Sequence, residues 1–277
     1  MTQLINVTDK PKGVVDPAAA KKMFRLERYL PGAELAHVLD HYWIVEWNLE
    51  GRPPYTQKTL PYPCVNLVFD KGRTAAFGVV SGAFDYTLQG SGRVLGLRFR
   101  PGAFRCLLGR PMHTITDRTV RVQDILGCDD IAAENLVLSA PDDTGMVAAA
   151  EDLLLPAVRQ ALPEPDTKVE KINRILNMLA EDIGITRVED LAEQAQTGMR
   201  ALQQLFSDYV GVSPKWVIRR YRLQEAADRL AGGDALDLAE LAHGLGYFDQ
   251  AHLTRDFRKL VGKAPAEYRK AAMPHSD

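Results

Sequence analysis

Two short sets of side chains in the last third of the chain are of the types that read base pairs. They are Arg200, Gln203 and Gln204, and further on Gln250, His252, Thr254 and Arg255. A guanidinium donates bidentately to guanine, and a glutamine amide donates and accepts at once against adenine. Such chemistry needs a rigid element to present the side chains together, and the spacing supplies one. In VEDLAEQAQTGMRALQQLFSDYVG (188–211), Leu202, Leu205 and Phe206 fall on one inward helix face and leave Arg200, Gln203 and Gln204 outward. In LAELAHGLGYFDQAHLTRDFRKLVG (238–262), Leu253, Phe257 and Leu260 repeat the pattern, with Gln250, Ala251, His252, Thr254 and Arg255 left for the groove. Each string reads as a short apolar helix, a turn and a second helix, the arrangement whose second helix enters the major groove of DNA. Two such units predict a reader with both second helices in successive grooves of one duplex.

The punctuation around these strings predicts how the helices are held. Ser213 and Pro214 stand where an N-cap and a first helical residue belong, just after the stop at Gly211. WVIRRYRLQEAADRLA then reads as a rigid spacer helix about 24 Å long. Thr186 with Glu189 predicts a capping box, Asp237 with Glu240 another, and Asp249 a cap for the second reading helix. Gly198 occupies the cap position of the first reading helix, and Ala264, before Pro265, offers no capping oxygen. KVEKINRILNMLAEDIG is amphipathic along Val169, Ile172, Ile175, Leu176 and Leu179. Asp256, inside the second reading helix, would repel phosphates if it faced them.

A chain of 277 residues suggests two domains, and a net charge of -2 argues against a nonspecific coat on nucleic acid. Clusters at Arg219, Arg220 and Arg222, and at Arg255, Arg258 and Lys259, are compatible with a local basic face. The first half reads as α+β: strands at HYWIVEWNL, CVNLVFD, TAAFGVV, FDYTLQ and RVLGLRFR forming a small sandwich or barrel. A short helix at AFRCLLG and helical stretches around 121–139 and 144–161 follow. The expected division is 1–162 for a sensing or oligomerisation domain, a proline-punctuated linker at 163–167, and an all-helical DNA-binding domain at 168–272.

Trp43, Trp47, Tyr62, Asn66, Phe84, Arg98 and Arg100 are of the types that line small-molecule pockets, flat apolar walls with a few polar groups. Cys64, Cys106 and Cys128 are too few and too scattered for a disulfide framework or a zinc site. His37 and His41 would share a face only in a helix, His113 is isolated, and Ser81 lacks the glycines of a nucleophile elbow. No catalysis, no metal and no cofactor is therefore expected. The absence of a signal-peptide core or a membrane-length apolar run predicts a cytoplasmic protein with no membrane partner.

The second string extends into LAHGLGYFDQAHLTRDFRKLVGKAPAEYR, with its glycine-aromatic turn, Arg-x-Phe and Pro-x-x-Tyr-Arg ending, and GVSPKWVIRRYRLQEAADRL precedes it. Together these resemble the DNA-binding domain of the AraC/XylS family of bacterial transcription regulators, over slightly more than a third of the chain. The resemblance implies one module reading adjacent major grooves through Arg200, Gln203, Gln204, Gln250, His252, Thr254 and Arg255. It departs from the family at Gly198, where a serine is usual. LPYPCVNLVFDKG and GLRFRPGAFRCLLG resemble, more weakly, the regulatory region of uncharacterised AraC-type regulators. The implied protein is a regulator, expected to be an activator acting as a homodimer on double-stranded DNA with RNA polymerase. A small-molecule effector is one expected control through the first half; a protein partner bound by an interaction module is the alternative.

Overall fold

The computed structural model of the chain describes residues 4–8, 17–161, 164–232 and 237–272. Most of the N-terminal segment and Pro163 of the expected linker therefore lie outside the described residues. Among these, no helix is long and apolar enough to cross a membrane.

The first half runs β1 (Ile5–Asn6), α1 (Pro17–Met23), β2 (Arg25–Leu30), β3 (Leu39–Leu49), β4 (Tyr55–Thr59), β5 (Asn66–Phe69), β6 (Ala75–Phe77), β7 (Phe84–Leu88) and β8 (Gly90–Phe99). Then come α2 (Arg105–Leu108), β9 (Thr119–Val120), α3 (Val122–Leu126), α4 (Asp130–Leu138) and α5 (Asp143–Ala161). Seven strands form one sheet in the order β1-β2-β3-β8-β5-β6-β9, and β4 pairs with β7 in a separate two-stranded sheet. The five predicted strands are present. RLERYL and YTQKT, which become β2 and β4, are too polar to show a clean alternation and were legible only through their partners.

Alternation decides which face of the large sheet is core. Tyr42 and Ile44 of β3, Leu95, Leu97 and Phe99 of β8, and Leu67 and Phe69 of β5 are buried in one cluster with Val137, Met146, Ala150 and Leu154 of the following helices. The opposite face carries Trp43 and Trp47. Their indoles lie across Gly96 and Gly92, their register partners on β8. A Cβ added at Gly96 would stand 2.0 Å from Trp43 Cε2, so glycine is required there by the indole. Glycine otherwise weakens a strand, and close approach by another group is the usual reason to find it.

The expected helix around 121–139 is broken. Gly127 takes a left-handed φ of 73° and ends α3. Asp129 then caps α4, accepting from the amides of Ile131 and Ala132. At the other end, Arg93 of β8 donates to the carbonyls of Leu138 and Ala140, satisfying acceptors that a helix leaves orphaned. The start of α5 is tied to the sheet by Arg25, whose guanidinium forks onto Asp143 at 2.8 Å and also reaches Glu46. Tyr29 donates to the same carboxylate at 2.6 Å.

The second half is helical: α6 (Thr167–Glu181), α7 (Val188–Gln194), α8 (Met199–Leu205), α9 (Pro214–Ala231), α10 (Leu238–Gly244), α11 (Gln250–Val261) and α12 (Pro265–Ala272). Ile172, Ile175, Leu176 and Leu179 of α6 enter its core, as the stripe predicted, whereas Val169 joins the cluster of the first half. One local expectation fails, and one helix changes type before its predicted stop. The helix predicted to start at Thr186 begins at Val188 after Arg187, which makes no side-chain cap. After Leu205, α8 widens into a π-helical turn at Phe206–Val210, which ends at left-handed Gly211. Glu267 supplies what Ala264 lacks in part, by accepting from the Ala264 amide at 2.9 Å.

The Arg25 fork and Tyr29 hold the Asp143 carboxyl below its ordinary pKa despite partial burial. A depressed carboxylate stabilises the fold above its unfolded pKa and loses that contribution as pH falls through the folded value. Asp143→Asn should therefore cost about 1–3 kcal/mol near neutral pH. In denaturant titrations the gap from the parent should hold down to about pH 4 and close below it. A gap that ignores pH would exclude the charge as its source.

Candidate nucleic-acid interface

The two helix-turn-helix units can be superposed residue by residue from their backbone bonds. The Thr197 amide donates to the Ala192 carbonyl in the first turn, and the Tyr247 amide to the Ala242 carbonyl in the second, each at 2.9 Å. Gln196 and Gly246, the preceding residues, both take the left-handed conformation, with φ 49° and 69°. After the turn the register moves by one. Gly198 and Asp249 are the N-caps, Leu202 and Leu253 the first inward leucines, Phe206 and Phe257 the fully buried phenylalanines, and Gly211 and Gly262 the left-handed stops. The second unit thus has one residue more, and it is Phe248.

This equivalence places Gln203 opposite Thr254 and Gln204 opposite Arg255 on matching outer positions of α8 and α11, with Arg200 matched by Ala251. Arg200, Gln203, Gln204, Gln250 and Arg255 are exposed, and Thr254 is half-buried. An open groove along α11 is lined by Asp249, Gln250, Ala251, Thr254, Arg255, Arg258 and Lys259. His252 is less free: it lies edge-on to Tyr247 at 5.1 Å and 3.9 Å from Asp256.

Side-chain caps start three of these helices. Asp249 accepts from the His252 amide at 2.7 Å, Asp237 from the Ala239 amide and Ser213 from the Trp216 amide, as the spacing predicted. Gly198 offers the first reading helix no such oxygen.

Two charge expectations are corrected. The Asp256 side chain, only 15% exposed, turns toward Arg219 at 3.8 Å and does not lie on the outer face of α11. Nor do Arg219, Arg220 and Arg222 form an exposed basic cluster. Arg222 stacks on Tyr247 at 4.0 Å and donates to the Leu245 carbonyl, pinning the second turn onto α9. Arg220 is 4% exposed, donates to the Pro61 carbonyl at 2.9 Å and to Gln224, and lies over the rings of Tyr62 and Tyr221. A spacer helix has to pack on something, and α9 packs with Arg220 and Arg222 inward. Arg258 and Lys259 remain exposed.

In the first half the structure gathers several of the residues predicted to line a pocket. Trp43 Nε1 donates to Asn66 Oδ1 at 3.1 Å, Asn66 is the register partner of Arg98, and Arg98 lies 3.9 Å over the Tyr62 ring. Trp47 meets Tyr86, a residue the sequence reading did not single out, edge-on at 6.2 Å. Phe84 is half-buried on β7 opposite Thr59. Arg100 stands apart, its Nε bound to the Ala36 carbonyl at 2.6 Å. His37 precedes β3 and His41 lies within it, so the two share no helix face. No cluster of metal-ligating side chains occurs among the described residues.

This aromatic and arginine group adjoins the helical half. Tyr62 is covered by Arg98 from its own half and by Arg220 from α9, and its hydroxyl is 3.4 Å from that of Tyr221. Trp216 Nε1 donates to the Ser81 carbonyl, Thr116 to the Gly211 carbonyl and Asn173 to the Pro101 carbonyl. Leu60 and Val79 of the first half are buried within the helical core.

Residues 191–271 match the family described as a helix-turn-helix domain, and residues 27–121 match a domain of unknown function, DUF6597. A putative AraC-like transcription regulator of Streptomyces lividans is 36% identical over 83 residues, 30% of this chain and 27% of that protein. The transcriptional activator RhaS of Pectobacterium atrosepticum is 31% identical over 87 residues, 31% of each chain. The matched segments thus span less than a third of these relatives. Among solved structures, unsaturated fatty acid-bound ToxT of Vibrio cholerae has a TM-score of 0.39 at 14% identity, covering 96% of both chains.

Restoring or removing caps gives opposite signs. Asp249→Ala should cost about 1 kcal/mol in urea unfolding. Gly198→Ser should add a few tenths, because Gly198 has the extended backbone of a cap and open space around its Cβ position. A neutral Asp249→Ala would show that the cap contributes nothing.

Proposed function

We propose that this chain, whose C-terminal region is a double helix-turn-helix domain of the AraC type, is a sequence-specific DNA-binding transcription regulator controlled by a small molecule. The observation that carries the DNA reading is the matched outer faces of α8 and α11. Gln203, Gln204 and Arg200 on one, with Thr254, Arg255 and Gln250 on the other, read bases in adjacent major grooves. Helix N-termini and the exposed Arg258 and Lys259 hold phosphates and set the register. RNA polymerase is the downstream partner in the cytoplasm. A homodimer is the acting form, supported by Ile131 and Leu136, which α4 leaves exposed.

The control rests on the group around Trp43, Trp47, Tyr62, Asn66, Phe84 and Arg98. It offers flat walls with few polar groups, the usual make-up of a small-molecule site. Because Tyr62 also carries Arg220 of α9, an effector that moves Tyr62 changes the seat of the helix joining both reading units. Such a ligand acts only by binding the DNA-competent and incompetent arrangements with different affinity.

Selection of duplexes from a random pool with the full chain should yield a bipartite site for each protomer, its two halves about one helical turn apart. On that site Arg255→Ala should weaken binding, and Gln203→Ala should relax preference at one base position by about 1–3 kcal/mol. Unchanged binding in both variants, or no enriched sequence, would overturn the reading. A thermal-shift screen of small molecules should find stabilising compounds whose effect is lost in Trp43→Ala; uniform silence would instead favour control by a protein partner.

A further inference from the structure

Phe248 is the residue by which the second helix-turn-helix exceeds the first. It is also the most exposed large apolar side chain among the described residues, at 85%. Both its neighbours are fixed. Tyr247 is buried beneath Arg222, with its amide bound to the Ala242 carbonyl. Asp249 is extended and holds the His252 amide. The backbone at Phe248 is thus held on both sides, and its ring lies in solvent. An apolar residue just before an N-cap ordinarily packs on the fourth helical residue. Here that residue is Leu253, fully buried in the core, and Phe248 does not cover it. Phe248 directly precedes Asp249, which with Gln250 and Ala251 lines the open groove along α11, the face proposed to meet DNA.

We propose that Phe248 is an apolar DNA-contact residue. It seats its ring on the edge of the groove that receives α11, against a deoxyribose or the 5-methyl group of a thymine. The inference rests on the DNA reading above. An exposed ring gives up no contact within the protein when it binds, so its burial against DNA adds to affinity after the cost of ordering one side chain. It neutralises no phosphate, so its contribution is independent of salt, unlike that of Arg255 or Arg258.

The test uses the full chain and the duplex selected from the random pool, titrated over a range of salt concentrations. Phe248→Ala should bind about 5- to 20-fold more weakly, with the salt slope and the thermal midpoint of the free protein unchanged. Phe248→Leu should recover most of the loss. Replacing the thymines of the second half-site one at a time by deoxyuridine separates the two contacts. A position that weakens the parent but not Phe248→Ala identifies a methyl group, and the absence of such a position identifies the sugar. Equal affinity of Phe248→Ala and the parent overturns the proposal. So does a loss that comes with a shallower salt slope. Normal binding with failed transcription in a reaction containing RNA polymerase also overturns it, and assigns the ring to the polymerase. If the parent selects no duplex at all, the DNA reading itself has failed; if the parent binds and Phe248→Ala binds equally, only this inference has.

Discussion

A guanidinium buried at the seam between the two halves is the constraint around which the molecule is arranged. Arg220 lies in the second turn of α9, out of contact with solvent, and none of its hydrogen bonds goes to a carboxylate. Removing a charge from water costs several kcal/mol unless other groups replace the water. Here the Pro61 carbonyl, the Gln224 amide oxygen and the faces of Tyr62 and Tyr221 replace it. Burial still pushes the Arg220 pKa down. The seam must stay well formed for the charge to be tolerated, so the position of α9 is coupled to the loop that carries Pro61 and Tyr62.

Everything in the helical half refers to α9. Its buried face, through Val217, Leu223, Ala226, Ala227 and Leu230, belongs to the core that also holds Leu202, Phe206, Leu253 and Phe257. Arg222 extends the same logic to the second turn, where its ring contact and its bond to the Leu245 carbonyl hold Tyr247 in place. Burial raises the Tyr247 hydroxyl to about 12, so it stays neutral beneath the cation. Arg220 and Arg222 of α9 thus serve packing. The exposed basic side chains of α8 and α11 are few: Arg200, Arg255, Arg258 and Lys259.

The first half solves a different problem. Two bulky indoles on one face of a seven-stranded sheet are accommodated by glycines on the neighbouring strand. The face remains half-open, with Trp43 tethered to Asn66 and Arg98 held over Tyr62. The opposite face is closed by α4 and α5, themselves anchored by Arg93 and by the Arg25–Asp143 fork. One face is therefore committed to stability and the other is left with aromatic surface close to the seam.

The sequence by itself determined what depends on near neighbours. Helix periodicity, the caps at Ser213, Asp237 and Asp249, the stop at Gly211, and the outward placement of Arg200, Gln203, Gln204 and Arg255 all follow from interactions within a few residues. Tertiary structure alone decided what depends on groups far apart in the chain. Arg219, Arg220 and Arg222 read as a basic cluster, and Asp256 as a liability, because nothing local tells a side chain which way its helix will be packed. The polar strands β2 and β4 and the requirement for Gly96 were hidden for the same reason: each is set by a partner on another element. Phe248 lies between the two cases. Its insertion is present in the sequence, but its exposure is visible only in the folded structure.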